Sequence, residues 1–484
     1  MIRHPSTRRQ RSVIVLGAGL GGLTAAALLA RAGHQVTVFE GSDWIGGKSR
    51  RMQVGGQTVD TGPALVSFPA VWREVLDNYD RIGAGRSLKP EADKVANVTL
   101  TRLNEIGRYM FRTNDVILPV PAGHPWHKAW QRFEREHGGL GQQLSSMLTT
   151  DPTSLSSLPA VRSVFKKYGV RLTTRAYLEG LTWMPEGLRE VIAIHTLNAG
   201  ISPQRTLALY ASMPAIMARD GIWVPEGGVN ELPLALHRLA VHAGADIHLG
   251  EPVTAVSQGR VTTAVGTYEA DVVVSGLDPG VLDALLGRRP KPTKALSCSG
   301  VAIYASLKKE LPNGTATHSI VMPDNPAALH RSLDRRELPA QTMIFLNYYR
   351  PHEIYDNTRA TVAVLLTAPA DGQSYTLDHP WVQREIQRVS TAVGLDHPIT
   401  ELFSDHALLD PQYFGEWGSS GGALYGATKP FWQSGPFHRP GYSSLVRPWL
   451  WRVGASVHPG GGIPAVLGGA MISTKRLLSY LERL

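Results

Sequence analysis

The sequence has one cysteine in 484 residues, only 7% aromatic side chains, and, the uncharged stretch Ser12–Ala30 aside, no run approaching the about 20 consecutive apolar residues of a membrane span. Each shortage excludes something. A lone Cys298 rules out an internal disulfide and a thiolate-rich zinc or iron–sulfur site built by one chain, so a reducing compartment is the default. Lying in Leu296-Ser297-Cys298-Ser299-Gly300 before the alternating run Val301–Leu307, it reads as a small buried residue rather than a nucleophile. The 17 histidines are scattered without H-E-x-x-H spacing, so no metal is expected. Basic residues are dispersed without aromatic interleaving, which argues against nucleic acid. There is no internal repeat, heptad or low-complexity tract.

What is present is globular: 43% hydrophobic and 18% charged residues, enough for a sizeable core and, at about 150 residues per domain, roughly three lobes. The net charge of +9 permits attraction to anionic membranes without selecting it. Arg8-Arg9-Gln10-Arg11 before the uncharged stretch Ser12–Ala30 imitates a secretory or twin-arginine signal. Gly17, Gly19, Gly21 and Gly22 break that stretch, so we expect a solvated tail, no cleaved signal, no transmembrane helix and a cytoplasmic protein.

The same glycines have a use. Val13–Leu16 reads as a buried parallel strand, Gly17-Ala18-Gly19-Leu20-Gly21-Gly22 fits G-x-G-x-x-G, Leu23–Ala32 reads as a helix stopped by Gly33, and Gln35–Phe39 as a second strand. Glu40 ends it, 18 residues after Gly22. Gly17 allows the tight turn, Gly19 lets the backbone approach a pyrophosphate, and Gly22 lets helix and strand pack closely. Leu20 and Gly21 belong to the same turn. The helix start then faces an anion, and Glu40 can accept from ribose hydroxyls. This unit leaves NAD and FAD both open. Gly46-Gly47-Lys48 and Asp60-Thr61-Gly62-Pro63 follow, either ordinary turns or close backbone passages along a longer dinucleotide.

With these residues assembled, the sequence resembles the flavin-dependent amine oxidase superfamily and, within it, carotenoid desaturases of the phytoene-desaturase type. Besides Val13–Lys48 with Asp60–Pro63, the likeness rests on Ile222–Val229 with the following helix and Glu251–Val256, on Ala270–Pro279, and most specifically on Leu450–Pro464. Gly422–Gly426 and Ile201-Ser202-Pro203 are weaker echoes, and Lys48 stands where the superfamily commonly has Arg. The resemblance implies an α/β fold: a Rossmann-like FAD-binding domain of the glutathione-reductase/amine-oxidase type assembled from 1–95, 220–297 and 438–484. Residues 96–219 and 298–437 would supply an antiparallel β-sheet substrate domain with a helical cap. It also implies that the backbone around Val253 meets the adenine, and that Gly454, His458, Gly461, Ile463 and Pro464 close the flavin site.

The chemistry so implied is removal of a hydride to FAD and loss of a proton from an acyclic carotenoid, in a long apolar slot. The substrate would be phytoene or a later, hydroxylated intermediate desaturated at its 3,4 bonds, with oxygen or a quinone as electron acceptor. The tail helix after Pro464 would point its positive end at the flavin. His458 is a candidate proton carrier, though its setting among Pro459 and glycines favours a positioning role. Ser420, central in a G-x-S-x-G, has no strand before it and reads as a loop. Loading a bilayer-dissolved substrate calls for peripheral contact with the inner membrane face, for which Trp126, Trp130 and Phe133 are candidates. The competing readings are a flavin amine oxidase and a non-redox isoprenoid-binding chaperone on the same fold.

Overall fold

Val13, Ile14, Val15 and Leu16 are fully buried in the strand Ser12–Leu16, which has a parallel neighbour on each side, as a β-branched run without polar alternation requires. The computed structural model describes residues 10–83, 90–290, 293, 295–429, 433, 437–438 and 440–483; Arg8 and Arg9 of the basic tail lie outside the described residues. The parallel sheet around this strand runs, in spatial order, Leu450–Arg452, Val272–Ser275, Ser12–Leu16, Gln35–Phe39 and Asp246–His248. One face carries the helices Leu20–Arg31, Glu231–His242 and Ile463–Leu481. The other face, with Ile14, Leu16, Phe39 and Val273, packs on the antiparallel strands Val253–Ser257, Arg260–Thr263 and Thr267–Glu269. The first helix starts at Leu20, three residues earlier than its apolar pattern indicates, because Gly21 and Gly22 are already helical.

A second sheet has seven strands, in the order Phe403–Leu409, Ser299–Leu307, Thr361–Ala368, Ile344–Tyr349, His318–Val321, Gly107–Phe111 and Asn114–Leu118. It is antiparallel except where His318–Val321 meets Gly107–Phe111 in parallel. Helix Pro380–Ala392 covers one face. The hairpin Arg51–Val54 and Gln57–Asp60 covers the other through Val54 and Val59 against Ala302, Tyr304 and Ala363.

Helices between residues 127 and 220 form the cap. His127–His137 is a helix with the ends its pattern indicates. The sequence of Val95–Arg102 reads as strand-like throughout, but Val95 and Ala96 end a short helix, Ala92–Ala96, and the strand spans only Leu100–Leu103. Tertiary anchors decide this: the Asp80 carboxylate accepts from the Glu91 and Ala92 N–H groups, both at 3.0 Å, and Arg238 Nε donates to the Ala96 carbonyl at 3.1 Å. A larger correction concerns Trp126, Trp130 and Phe133, which are buried and form no membrane face. Trp126, Trp130, Phe133 and His137 make one i, i+4, i+7, i+11 stripe turned into the cap core, while Lys128, Arg132 and Arg135 occupy the other side of the helix. Among the described residues no helix is long and apolar enough to cross a membrane.

Candidate cofactor site

Gly17 has φ +93°, a left-handed conformation that favours glycine, and its N–H donates to the Phe39 carbonyl at 2.8 Å, fixing the turn at the carboxyl ends of the strands. A Cβ on Gly22 would drive into the Gly17 carbonyl oxygen, whereas one on Gly19 would meet nothing within 4 Å. The helix beginning at Leu20 has no side-chain cap and no acidic residue in its first turn. Its first N–H groups therefore face an open, backbone-lined cradle, which suits an anionic pyrophosphate.

The Glu40 carboxylate braces this turn. Its Oε2 accepts from the Ala18 N–H at 2.8 Å, and its Oε1 from the Ser42 N–H at 3.0 Å and hydroxyl at 2.9 Å. A carboxylate offers about four lone-pair sites, so one remains for a ribose hydroxyl. Beside it, Gly250 and Glu251 donate to the Ser42 and Glu40 carbonyls at 2.7 and 2.9 Å, which brings Val253 to the end of the second strand. Gly46 donates to the Ala18 carbonyl at 2.8 Å, and a Cβ on Gly47 would lie 3.4 Å from Gly19 Cα. The second glycine pair thus lies against the first turn. Gly62, ahead of Pro63, folds onto the Lys48 carbonyl and donates to the Tyr304 hydroxyl at 3.1 Å.

Lys48 turns its ammonium to the Ala423 and Leu424 carbonyls, at 3.0 and 2.8 Å. Desolvation, partly offset by Asp278, lowers its pKa to about 8. The residue keeps accessible surface beside these two carbonyls. Sequence reasoning missed this tie to a segment 375 residues away.

The carboxyl-terminal segment closes on the same turn. A Cβ on Gly21 would sit 2.8 Å from Gly454 N, so the tail crosses directly over the start of the first helix. Val453 N–H holds it to the Ser275 carbonyl at 2.9 Å. Beyond it the His458 carbonyl accepts from the Tyr442 hydroxyl at 2.9 Å, while its buried Nε2 has no partner among the described residues. Burial, then the neighbouring His438, lowers the His458 pKa to about 4, which leaves the ring neutral near pH 7. Gly462, at φ +94°, caps the helix Ile463–Leu481, which like the first has neither a side-chain cap nor an acid in its first turn. Ile463 points into the core, so any contact it makes with a cofactor is through backbone, and Pro464 takes the first turn, where its missing N–H is not needed.

Tyr425 lies within Gly422–Gly426, a segment the sequence marks only as a weaker echo of the family, with no role for the ring. Its ring is clamped between two glycines: a Cβ on Gly200 would lie 2.7 Å from Tyr425 Cδ2, and one on Gly461 would lie 2.9 Å from Cδ1. Its N–H donates to Ser297 Oγ at 3.0 Å, and burial raises its phenol pKa. The local segment does not reveal this clamp, which comes from the meeting of residues 200, 425 and 461. Neighbouring Cys298 is buried, with its thiol pushed up to about 12, and is unsuited to nucleophilic chemistry. Ser420 lies in a short turn and donates to Asp278 Oδ1 at 3.2 Å, consistent with a loop.

Residues 20–368 match the family described as flavin containing amine oxidoreductase. The chain is similar to the zeta-carotene-forming phytoene desaturase of Myxococcus xanthus, 27% identical with 97% of this chain and 94% of that one covered. It is also similar to a 1-hydroxycarotenoid 3,4-desaturase of a Flavobacterium species, 25% identical with 96% and 98% covered. Among solved structures, putrescine oxidase bound to putrescine superimposes with a TM-score of 0.64 at 14% identity, over 98% of this chain and all 100% of that one, a likeness of fold. The family match spans most of the chain, and the two desaturases match it nearly from end to end; on these grounds the chain belongs to the flavin containing amine oxidoreductase family and is an FAD-dependent oxidoreductase.

Proposed function

We propose that this enzyme introduces carbon–carbon double bonds into an acyclic carotenoid, phytoene or a later hydroxylated intermediate. The observation that carries the reading is similarity over nearly the full length to two carotenoid desaturases. The FAD-binding domain would be discontinuous, 1–95, 220–297 and 438–484, with 96–219 and 298–437 forming the substrate domain and cap. In this reading Gly17, Gly19, Leu20, Gly21 and Gly22 hold the pyrophosphate, Glu40 a ribose and Val253 the adenine. Gly46, Gly47, Lys48, Gly62 and Pro63 line the cofactor's path, and Gly454, His458, Gly461, Ile463 and Pro464 face the flavin.

When bound, FAD supplies the hydride acceptor. The chain's contribution is placement and electrostatics. The free N–H groups at the start of Ile463–Leu481 would stabilise negative charge at the flavin edge. A polyene offers no group for a charged partner, so its C–H bond must be held by shape in a cleft from which water is excluded. Neutral His458 serves as a backbone anchor through its carbonyl rather than as a proton carrier.

Expression in hosts that make phytoene, lycopene or 1-hydroxylated carotenoids, followed by pigment chromatography, tests the reading. New products with longer conjugation are expected from at least one host. Unchanged pigments, together with amine-dependent peroxide release, would favour an amine oxidase. A colourless protein that binds no flavin would favour the chaperone.

A further inference from the structure

Trp126, Trp130 and Phe133 are buried, but the cap carries an exposed apolar surface elsewhere. Leu155, Leu158, Phe165, Val170 and Leu172 are 82%, 55%, 63%, 93% and 41% exposed, all within 18 consecutive residues of one helix and its flanks. On the helix Leu158–Tyr168 the exposed residues are Leu158, Pro159, Arg162, Phe165 and Lys166, all but Pro159 spaced i, i+4, i+7 and i+8, while Ala160 and Tyr168 face inward. From 152 to 178 there are five cations, Arg162, Lys166, Lys167, Arg171 and Arg175, and no Asp or Glu. Arg175 is paired with Glu190 at 2.6 Å and Lys167 lies 3.8 Å from Glu136, whereas Arg162, Lys166 and Arg171 have no ion pair among the described residues.

We propose that Leu155–Leu172 is a docking surface for an anionic lipid bilayer. Apolar side chains interleaved with unpaired cations on one face of an amphipathic helix match the acyl–headgroup boundary, where each kind finds its own solvent. A second copy of the chain is the poorer occupant, because a two-fold contact would set Arg162 and Lys166 against the same cations. The surface also has a structural route to the site. Its helix packs on Gly141–Thr149, which in turn lies against the tail helix, where Gly468 meets the Leu148 carbonyl. The inference rests on the reading of the substrate as a bilayer-dissolved polyene, yet its test does not depend on turnover.

The flavin-loaded full-length protein is floated with vesicles of phosphatidylglycerol and phosphatidylcholine, and with phosphatidylcholine alone, at low and high salt. Wild type should bind the acidic vesicles at low salt. The triple variant Leu155→Ser, Phe165→Ser, Val170→Ser should lose at least about tenfold in partitioning. Arg162→Gln with Lys166→Gln should lose about fivefold per charge, an effect that disappears at high salt. Val265→Ser, which removes an apolar side chain 77% exposed on the other side of the parallel sheet, should bind as wild type does. Melting temperature and flavin absorbance, unchanged in every variant, show that the fold is intact. Wild type that fails to float, variants that float equally well, or a dimer that the triple variant splits while vesicles go unbound would each overturn the proposal. Vesicle binding without desaturation would leave docking standing and remove the carotenoid reading; desaturation of micellar substrate without vesicle binding would do the reverse.

Discussion

Gly19 and Gly22 differ in what their missing side chains make room for, and substitution separates the two roles. Gly19 has φ −73° and ψ 173°, which alanine adopts readily, and its Cβ would enter the open cradle. Gly19→Ala should therefore leave the melting temperature of the apoprotein unchanged and weaken FAD retention tenfold or more, read by flavin titration. Gly22→Ala should lower both, by about 1–3 kcal/mol in stability, because the new methyl meets backbone that cannot yield. At the tail, His458→Gln should change turnover less than about tenfold, since loss of a working acid or base would cost 10²–10⁴. A larger loss would return His458 to proton transfer. The glycine turn and Glu40 were legible in the sequence because their spacing is local. The bracing of Ala18 by Glu40, the reach of Lys48 to Leu424 and the clamp on Tyr425 were not, because each depends on where distant backbone comes to lie.

Elements were readable where one periodicity governed a whole segment. His127–His137 shows a clean helical stripe, and its ends follow from the pattern, but the pattern cannot say whether the aromatic stripe faces lipid or the cap. The parallel pairing of His318–Val321 with Gly107–Phe111 joins segments some 200 residues apart and leaves no local trace. Close crossing of the tail helix and Gly141–Thr149 is equally silent, and it can be tested. Alanine at Gly468 would gain about 1 kcal/mol in helix propensity. Its Cβ would drive into the Leu148 carbonyl, an overpacking cost of about 1–3 kcal/mol, toward the upper end here because the partner is backbone. Gly468→Ala should therefore lower the melting temperature; a rise would contradict the crossing.

Across the whole molecule, one sheet is assembled from strands at residues 12–16, 35–39, 246–248, 272–275 and 450–452, so the first and last parts of the chain build one site together. The interior also sets the response to acid. Burial lowers the pKa values of His137 and His330 to about 3, and of His195, His438 and His458 to about 4. Between those values and the usual ~6.5 the unfolded chain binds more protons, so stability rises with pH across that window and is lost on acidification. Thermal melts should show a melting temperature that falls progressively from pH 7 to pH 5; a flat profile would mean that these rings are solvated. The central claim is hydride transfer from a polyene to the flavin held between the two ends of the chain. Anaerobic mixing of the oxidised, yellow protein with acyclic carotenoids, phytoene and a 1-hydroxylated one among them, tests this most directly. The account predicts bleaching of the flavin band by at least one of them, one equivalent of new double bond per flavin, and none with a diamine; a protein that stays yellow with every carotenoid and bleaches with the diamine would contradict it.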